Sequence, residues 1–267
     1  MNKVATKANI LITKNFERRA ARWASYISKA NSKDLQQCFL IPGPAGIEKR
    51  LNYVSFSTLH LSWLISTVGV RHIQVRFLVA PPSKKDPGSK ARFTMALYAT
   101  DALGARISAY YLPVDEDYIT TTTILPEKNS EGEGDPSDDA GQAPHDLVKS
   151  WVHHWTSAPE IKSSMFANSY GPLQGYTFSL DDFLQELFEV QPFSDEQMVR
   201  ISFGLHEYYP AVPVKSGRIQ TFGLVLRVFP APKPTTTGAN SRSEVYNVPE
   251  QSDAPFFDLS TPCPPGY

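Results

Sequence analysis

The chain lacks several of the patterns that would identify its class at once. It has two cysteines, Cys38 and Cys263, which lie far apart and without the short spacing of metal ligands. We therefore expect reduced thiols and a cytoplasmic protein rather than a disulfide-stabilised secreted domain. No apolar run approaches the roughly 18–20 residues that span a membrane, and the apolar stretch 10–12 is too short for a secretion signal. The sequence thus predicts neither a transmembrane segment nor export.

Common catalytic signatures are also missing. The sequence contains no Gly-x-Gly-x-x-Gly, no Gly-x-x-x-x-Gly-Lys-Ser/Thr and no Gly-x-Ser-x-Gly. We therefore expect no cofactor. His145, His153 and His154 lie close to Asp146, but adjacent helical residues point roughly 100° apart and do not converge on one metal ion. We favour an aromatic-rich packing helix at this point and expect no metal site.

Charge is present in ordinary amount but is distributed unevenly. Residues 1–110 hold 17 Lys/Arg and 5 Asp/Glu, whereas residues 111–267 hold 9 Lys/Arg and 22 Asp/Glu. The formal net charge of −1 therefore hides a basic half of +12 and an acidic half of −13. Three interpretations remain open. The halves neutralise each other within one chain, an anionic ligand binds the basic half, or basic and acidic faces of different copies associate head to tail.

The clearest helical pattern lies near the N-terminus. Apolar residues spaced three or four positions apart predict an amphipathic helix over residues 10–30. Basic side chains occupy much of its remaining surface, so the helix could bind phosphates or an anionic membrane surface. We favour docking on a protein partner, because no further Lys/Arg-rich tract extends the basic face. The candidate interaction residues are Arg18, Arg19, Arg22 and Trp23.

One sequence of parts occurs twice in the chain. Tyr-Val-Ser-Phe-Ser around Phe56 and Gly-Tyr-Thr-Phe-Ser around Phe178 are 122 positions apart. Each is followed by a helix-length stretch, an apolar strand pattern, a loop and a second apolar strand pattern. We interpret this as an internal duplication, with the two phenylalanines at the start of equivalent helices. Ser57 and Ser179 are expected to cap those helices.

The predicted fold class is α+β, with antiparallel sheets built from two related helix–strand–strand units and with helices packed on one face. The predicted strands cover residues 70–79, 92–100, 106–112, 198–205 and 219–229. A further helix is expected to begin near Asp146. The predicted organisation is a basic half with the first unit at 1–126, a flexible acidic loop at 127–145, the second unit at 146–230 and an extended tail at 231–267.

The second unit resembles a known group of proteins. Val199-Arg200-Ile201-Ser202-Phe203-Gly204 and the closing Cys263-Pro264-Pro265 are similar to segments of uncharacterised proteins from Bacteroidota-type bacteria. Those proteins often read Arg-Ile-Tyr-Phe-Gly at the same strand, where this chain has serine in place of tyrosine. The resemblance covers residues 176–267. It implies the helix–strand–strand architecture, and it implies no activity and no site residues.

Two classes of function remain for the chain. We favour a non-enzymatic cytoplasmic scaffold or protein-interaction module, with a protein partner or a homo-oligomer formed through complementary basic and acidic faces. The alternative is a small-molecule-binding or hydrolase-like enzyme that uses His206 and Glu207, since a His/Glu pair at a strand end could do acid–base work. Neighbouring residues of an extended strand face opposite sides, which weighs against the enzyme.

Overall fold

The structure is a computed structural model that describes most of residues 1–110 and less than half of residues 111–267. It covers residues 9–29, 33–42, 47–82, 88–114, 142–143, 145–168, 171–181, 184, 198–208, 219–229, 256–257 and 261–262. Four α-helices are delimited in these ranges: α1 (Thr13–Ile27), α2 (Lys33–Cys38), α3 (Thr58–Ile65) and α4 (His145–Ser157). A 3-10 helix lies at Ser163–Phe166. The α+β class and the antiparallel pairing of the strands confirm the predicted fold class.

The strands of the first half are β1 (Ile10–Leu11), β2 (Leu40–Pro42), β3 (Glu48–Arg50), β4 (Tyr53–Ser57), β5 (His72–Ala80), β6 (Arg92–Thr100) and β7 (Tyr110–Tyr111). Those of the second half are β8 (Gln142–Ala143), β9 (Ala167–Asn168), β10 (Gly171–Pro172), β11 (Gly175–Ser179), β12 (Met198–Tyr208), β13 (Ile219–Phe229), β14 (Phe256–Phe257) and β15 (Thr261–Pro262).

Two larger sheets dominate the fold. The first sheet has the order β1-β7-β6-β5-β11-β15, and the second sheet has the order β8-β14-β13-β12-β4. Each contains a long hairpin from one half, β5–β6 or β12–β13, and each is extended by a strand from the other half. Thus β11 lies beside β5, with Phe178 opposite Ile73. In the same way β4 lies beside β12, with Phe56 opposite Val199.

The predicted position of the two phenylalanines is wrong in detail. Phe56 and Phe178 lie in strands β4 and β11, and the helical residues begin only at Thr58 and Leu180. Both side chains are buried in the core, where an extended backbone lets them face inward beside a neighbouring strand. The first unit is therefore strand–helix–strand–strand rather than helix–strand–strand, and in the second unit too a strand precedes the described helical residues.

Ser57 caps its helix as expected, because its side chain accepts a hydrogen bond from the backbone N–H of His60 at 3.4 Å. After Ser179 only residues 180, 181 and 184 are described, and they are helical. The rest of that expected helix lies outside the described residues.

Two similar tryptophan hydrogen bonds link one half to the other. Trp23 of α1 donates its indole N–H to the carbonyl oxygen of Leu173 at 2.9 Å. Trp155 of α4 donates to the carbonyl oxygen of Leu51 at 3.2 Å. The two acceptors are 122 positions apart, as are Phe56 and Phe178, and each lies two residues before the strand that joins the other half's hairpin. This repetition is what a duplicated unit would produce, although duplication itself stays a prediction.

The core lies where the two sheets meet. Phe77 and Phe93 of the first sheet contact Phe203 and Phe222 of the second, with ring centroids 5.5 Å apart for the pairs Phe93–Phe203 and Phe77–Phe222. Burial of such aromatic side chains is the main stabilising contribution in a core of this kind. The hydroxyl of Tyr176 in β11 donates to the carbonyl oxygen of Phe222, which joins the sheets directly.

Some predicted boundaries are corrected by the structure. The expected acidic loop 127–145 lies mostly outside the described residues, but its end is wrong, because β8 and the first residue of α4 fall within it. The expected tail 231–267 contains β14 and β15, which pair with the two sheets. These short strands are polar or isolated in sequence, so local patterns did not reveal them.

The predicted strand 106–112 is shorter than expected, since only Tyr110–Tyr111 pair as a strand. The carboxylate of Asp101 accepts hydrogen bonds from the backbone N–H groups of Leu103 and Ala105, both at 2.9 Å. Because of this turn, the chain pairs with β6 as a strand only at β7. Before β7 there is a single bridge, between Thr100 and Arg106.

Candidate functional site

Helix α1 presents its four candidate interaction residues in different environments. Arg18 is exposed and donates to the side-chain oxygen of Asn15 at 3.1 Å. Arg19 and Arg22 are half-buried. Trp23 is completely buried and contacts Phe77 and other core rings. The expectation that Trp23 contacts a partner is therefore corrected, because the apolar stripe that predicted the helix also places this indole in the core.

A cavity of about 340 Å³ lies between α1, the hairpin ends of β5 and β6, and strand β4. Two arginines line it: Arg19 from α1 and Arg92 from the first position of β6. Tyr53 and Asn9 lie on other walls. None of the lining residues that the structure describes is an aspartate or a glutamate. We call this site the arginine cavity.

Backbone structure fixes the walls of the arginine cavity. Arg92 is positioned by the pairing of β6 with Ala80 at the end of β5. Asn9 donates its amide N–H to the carbonyl oxygen of Pro113 at 3.0 Å. The guanidinium of Arg200 lies over the ring of Tyr53, 4.1 Å from the ring centroid, in a cation–π contact. Arg200 is thus a third cationic side chain next to the cavity. The Nε atom of Arg19 is shielded from solvent.

A comparable position in the second half is occupied by two stacked rings. Trp151 lies one helical turn before Trp155, just as Arg19 lies one turn before Trp23. The Trp151 indole stacks on His206 with ring centroids 3.8 Å apart and an interplanar angle of 16°. His206 follows Phe203 by three residues, as Ala80 follows Phe77 in the first half. Where the first half has an arginine and an open cavity, the second half therefore has two stacked rings.

Gly223 makes room for that stack. It follows the core residue Phe222, as Thr94 follows Phe93 in the first half. A Cβ atom on Gly223 would lie 2.1 Å from Nε2 of His206, far inside contact distance. A side chain at this position is therefore incompatible with the observed place of the imidazole.

The surroundings of His206 also determine its charge. Burial disfavours the imidazolium and lowers the pKa of His206 to about 4. The side chain is therefore neutral at neutral pH. Glu207, its neighbour in sequence, accepts a hydrogen bond from the side chain of Gln220 at 3.1 Å. The structure thus places His206 in a ring stack and Glu207 in a separate polar contact.

Glu207 lies close to His154, a histidine that sequence reasoning did not pair with it. Its carboxylate is 3.9 Å from Nδ1 of His154, which is an ion-pair distance but too long for a hydrogen bond. A second cavity of about 320 Å³ lies beside this pair and is lined by His154, Ser157 and Lys162 among others. The hydroxyl of Ser157 donates to the backbone carbonyl of His153 at 2.6 Å. A serine nucleophile would instead need a hydrogen bond to its base.

Metal and thiol chemistry find no support among the described residues. They contain no group of three or more His, Cys, Asp or Glu side chains that could hold a metal ion. Cys38 is buried, its thiol donates to the carbonyl of Leu35 at 3.1 Å, and burial raises its pKa. Such a thiol is unreactive near neutral pH. Cys263 lies outside the described residues.

The described helices include none long and apolar enough to cross a membrane. Comparison with known proteins gives no match of any kind: no family model, no curated protein and no solved structure is significantly similar to this chain.

Sequence reasoning missed the arginine cavity. It singled out Arg19 as one of several basic residues on α1 but did not identify Arg92 or Tyr53. The signal that could have found the site is the alignment of α1 with α4 through Trp23 and Trp155. That alignment places Arg19 against Trp151, a cation in one half against an aromatic ring in the other.

Proposed function

We propose that this protein is a non-enzymatic interaction module of the cytoplasm, and that the basic face of α1 docks on an acidic protein surface. The acidic half of a second copy is one such surface. The observation that carries the proposal is the exposed cationic side of α1, where Lys14 and Arg18 are exposed and Arg22 is half-buried. A rigid helix that presents positive charge is suited to steering and orienting an acidic partner.

The rigidity of that surface comes from the opposite side of the helix. Trp23 and Ile27 are buried, and the Trp23 indole is hydrogen-bonded to Leu173. Because these contacts already fix α1, a partner would not have to order the helix on binding, which lowers the entropic cost of association. Among the described residues of α1, Glu17 is the single acidic side chain.

The geometry gives less support to the enzyme alternative. His206 is stacked beneath Trp151, and Glu207 makes its contacts with Gln220 and His154. Acid–base catalysis requires the paired groups to face one substrate atom within hydrogen-bond distance. The described contacts of the two candidates do not meet this requirement together.

The proposal is tested by reversing charge on α1. The variant Arg18→Glu/Arg22→Glu is compared with Lys49→Glu/Arg71→Glu, which changes two exposed basic residues outside α1. Sedimentation is measured at about 0.01 M and about 1 M salt, between which the screening length falls from about 30 Å to about 3 Å. We expect the native protein and the control to associate at low salt only, and the α1 variant to remain monomeric.

Two results would contradict this proposal for self-association. One is a native protein that is monomeric at both salt concentrations and fails to bind a polyglutamate surface. The other is equal behaviour of the α1 variant and the control variant, since the charge would then act without regard to its position.

A further inference from the structure

We propose that the place occupied by β14 and β15 is a peptide-binding site, whose ligand is an extended segment of another protein with two adjacent aromatic residues. In the structure this site holds residues 256–262 of the chain itself, which we call the C-terminal segment. That segment competes with the ligand. The site does not include the basic face of α1, and pairing between backbones does not depend on charge. The inference therefore does not rest on the proposed docking of α1.

Backbone pairing with three strands holds the C-terminal segment in its site. Strand β14 lies between β13 and β8, and Phe257 pairs with Leu226 on one side and with Gln142 on the other. A few residues later Thr261 of β15 pairs with Thr177 of β11, which belongs to the other large sheet. The segment therefore crosses from the second sheet to the first. Because these contacts are made by the backbone, a different extended segment can make them as well.

The first half contains the same arrangement. Tyr111 of β7 pairs with Leu97 of β6 on one side and with Ile10 of β1 on the other. Shortly after β7, the backbone N–H of Val114 donates to the carbonyl oxygen of Ser55 in β4 at 2.9 Å. The chain thus crosses from the first sheet to the second in the same way. A strand in this position is therefore a regular part of the fold, and the two halves differ in how it is connected.

The connection is much longer in the second half. Nine residues, 101–109, separate β6 from β7, whereas 26 residues, 230–255, separate β13 from β14. Closing a longer connection costs more conformational entropy. The covalent connection therefore ties the C-terminal segment to its site less firmly than it ties β7, so a competing ligand has less to overcome.

The C-terminal segment is also a short ligand for the edge that it occupies. All 11 residues of β13 pair with β12, whereas the described pairing of β13 with β14 is at Leu226. Pro255 directly precedes β14, and Asp258 directly follows it. Both residues limit the length of the strand, because proline lacks a backbone N–H and aspartate is rare in strands. A partner segment without them can pair along more of β13.

The first half also indicates which residues suit this position. Tyr110 and Tyr111 of β7 are each 8% exposed, so two adjacent aromatic residues pack there. The C-terminal segment has Phe256 and Phe257 in the corresponding strand. A second copy of the chain would offer the same two residues without the advantage of the covalent connection, so the chain's own segment excludes it at micromolar concentration. We therefore assign the ligand to another protein.

The test opens the site in the full-length chain. Phe257→Pro removes a backbone N–H from β14 and should release the C-terminal segment. Tyr246→Pro, within the connection 230–255, is the matched control. The probe is a fluorescein-labelled peptide with the sequence of residues 252–262. Its affinity is measured by fluorescence anisotropy at about 0.1 M and about 1 M salt, where the screening length is about 10 Å and about 3 Å.

We expect the Phe257→Pro variant to bind the peptide at least about tenfold more tightly than the native protein or the control, because the competing segment is released. Salt should change this affinity by less than about twofold, which separates the site from docking through α1. A peptide with both phenylalanines changed to tyrosine should bind equally well. Threonine in place of Pro255 and Asp258 should strengthen binding by about threefold or more, since the strand is then longer.

A cut chain keeps the test independent of how well the proline variant folds. A specific protease site placed between residues 238 and 243 allows the folded native chain to be cut, so that every residue stays present and only the connection is lost. The cut protein should bind the peptide as the Phe257→Pro variant does. The assignment is overturned if neither form binds the peptide more tightly than the native chain. It is also overturned if the native chain sediments at about 1 M salt as a dimer that Phe257→Pro abolishes, because the ligand would then be a second copy.

Discussion

The indole N–H of Trp23 donates to the carbonyl oxygen of Leu173 at 2.9 Å, across 150 positions of sequence. Helix α1 packs against β5, and Leu173 leads into β11, which pairs with β5. The hydrogen bond therefore holds the strand that the second half contributes to the first sheet. Trp155 makes the same kind of contact with Leu51 in the opposite direction. Each half is held in place by a tryptophan of the other.

Removing either indole donor should weaken the whole molecule. Trp23→Phe and Trp155→Phe each leave a buried carbonyl without its donor, at a cost of about 1–3 kcal/mol, and each also leaves a small void. We expect similar losses in the free energy of unfolding for the two variants, measured by urea denaturation. Trp63→Phe is the control, because that side chain is 39% exposed, and it should change stability by less than about 0.5 kcal/mol.

If Trp23→Phe is no less stable than the Trp63 control, the hydrogen bond between the halves contributes nothing to the fold. A large loss for Trp23 with none for Trp155 would show that the two contacts, although geometrically alike, are not equivalent in energy.

His206 should make stability depend on pH. Its pKa is about 4 in the folded protein and about 6.5 in an unfolded chain. Between these values the unfolded state binds more protons, so the free energy of unfolding falls as the pH falls from about 6.5 to about 4. From about pH 7 to about pH 5 the loss attributable to this group is up to about 2 kcal/mol. It is measured by urea denaturation at each pH.

Two substitutions separate the titration of His206 from its packing. Both His206→Phe and His206→Gln remove the titrating group, whereas only phenylalanine keeps an aromatic ring against Trp151. Both variants should therefore show a shallower pH dependence than the native protein. An unchanged slope in both would mean that the imidazole is not held neutral by burial.

Gly223 should tolerate a side chain only when His206 is removed. The Cβ of alanine at this position would overlap the imidazole, so Gly223→Ala should cost about 1–3 kcal/mol of stability through forced repacking. In a His206→Ala background the same change should cost less than about 0.5 kcal/mol. A double-mutant cycle of unfolding free energies measures the difference. Additive effects would place the two side chains out of contact.

Local elements of this fold are predictable from sequence because their signals are local. The apolar stripe of α1, the serine cap of α3 and the strand patterns of β5, β6, β12 and β13 each depend on residues within one turn or one strand. Phe56 and Phe178 stand out in the sequence as a pair, and in the structure each lies in a strand that extends a sheet of the other half. Their secondary structure was not predicted, because Ser57 marks where the helix begins and the pattern alone does not show that the residues before it join a sheet.

The pairing of strands between halves could not be predicted in the same way. Phe56 and Val199 are 143 positions apart, and periodicity shows which face of a strand is buried but not which strand lies beside it. The arginine cavity has the same origin, since Arg19 and Arg92 meet only through the packing of α1 on the first sheet. The sequence singles out His206 as a catalytic candidate, but its stacking partner Trp151 belongs to another element, so its packing contact could not be predicted.

Cutting the chain between the two halves tests whether each half depends on the strand that the other contributes. A break between residues 128 and 129 falls outside the described residues and separates the two halves. Neither fragment should unfold cooperatively as a monomer, because β4 and β11 would lose their partners and the phenylalanine core would be divided. Mixed in equal amounts, the fragments should form a one-to-one complex with the secondary structure of the intact protein.

Circular dichroism and sedimentation of each fragment alone provide the measurement. A fragment that folds as a stable monomer would contradict the interlocked arrangement. A fragment that folds as a symmetric homodimer would agree with it and would support duplication as well, because one unit would then supply both the hairpin and the added strand of each sheet. The second fragment is the better candidate for such a dimer, since Trp151 and His206 fill the space that stays open in the first half. A core without an open cavity stabilises a subunit, because each cavity lowers the free energy of unfolding.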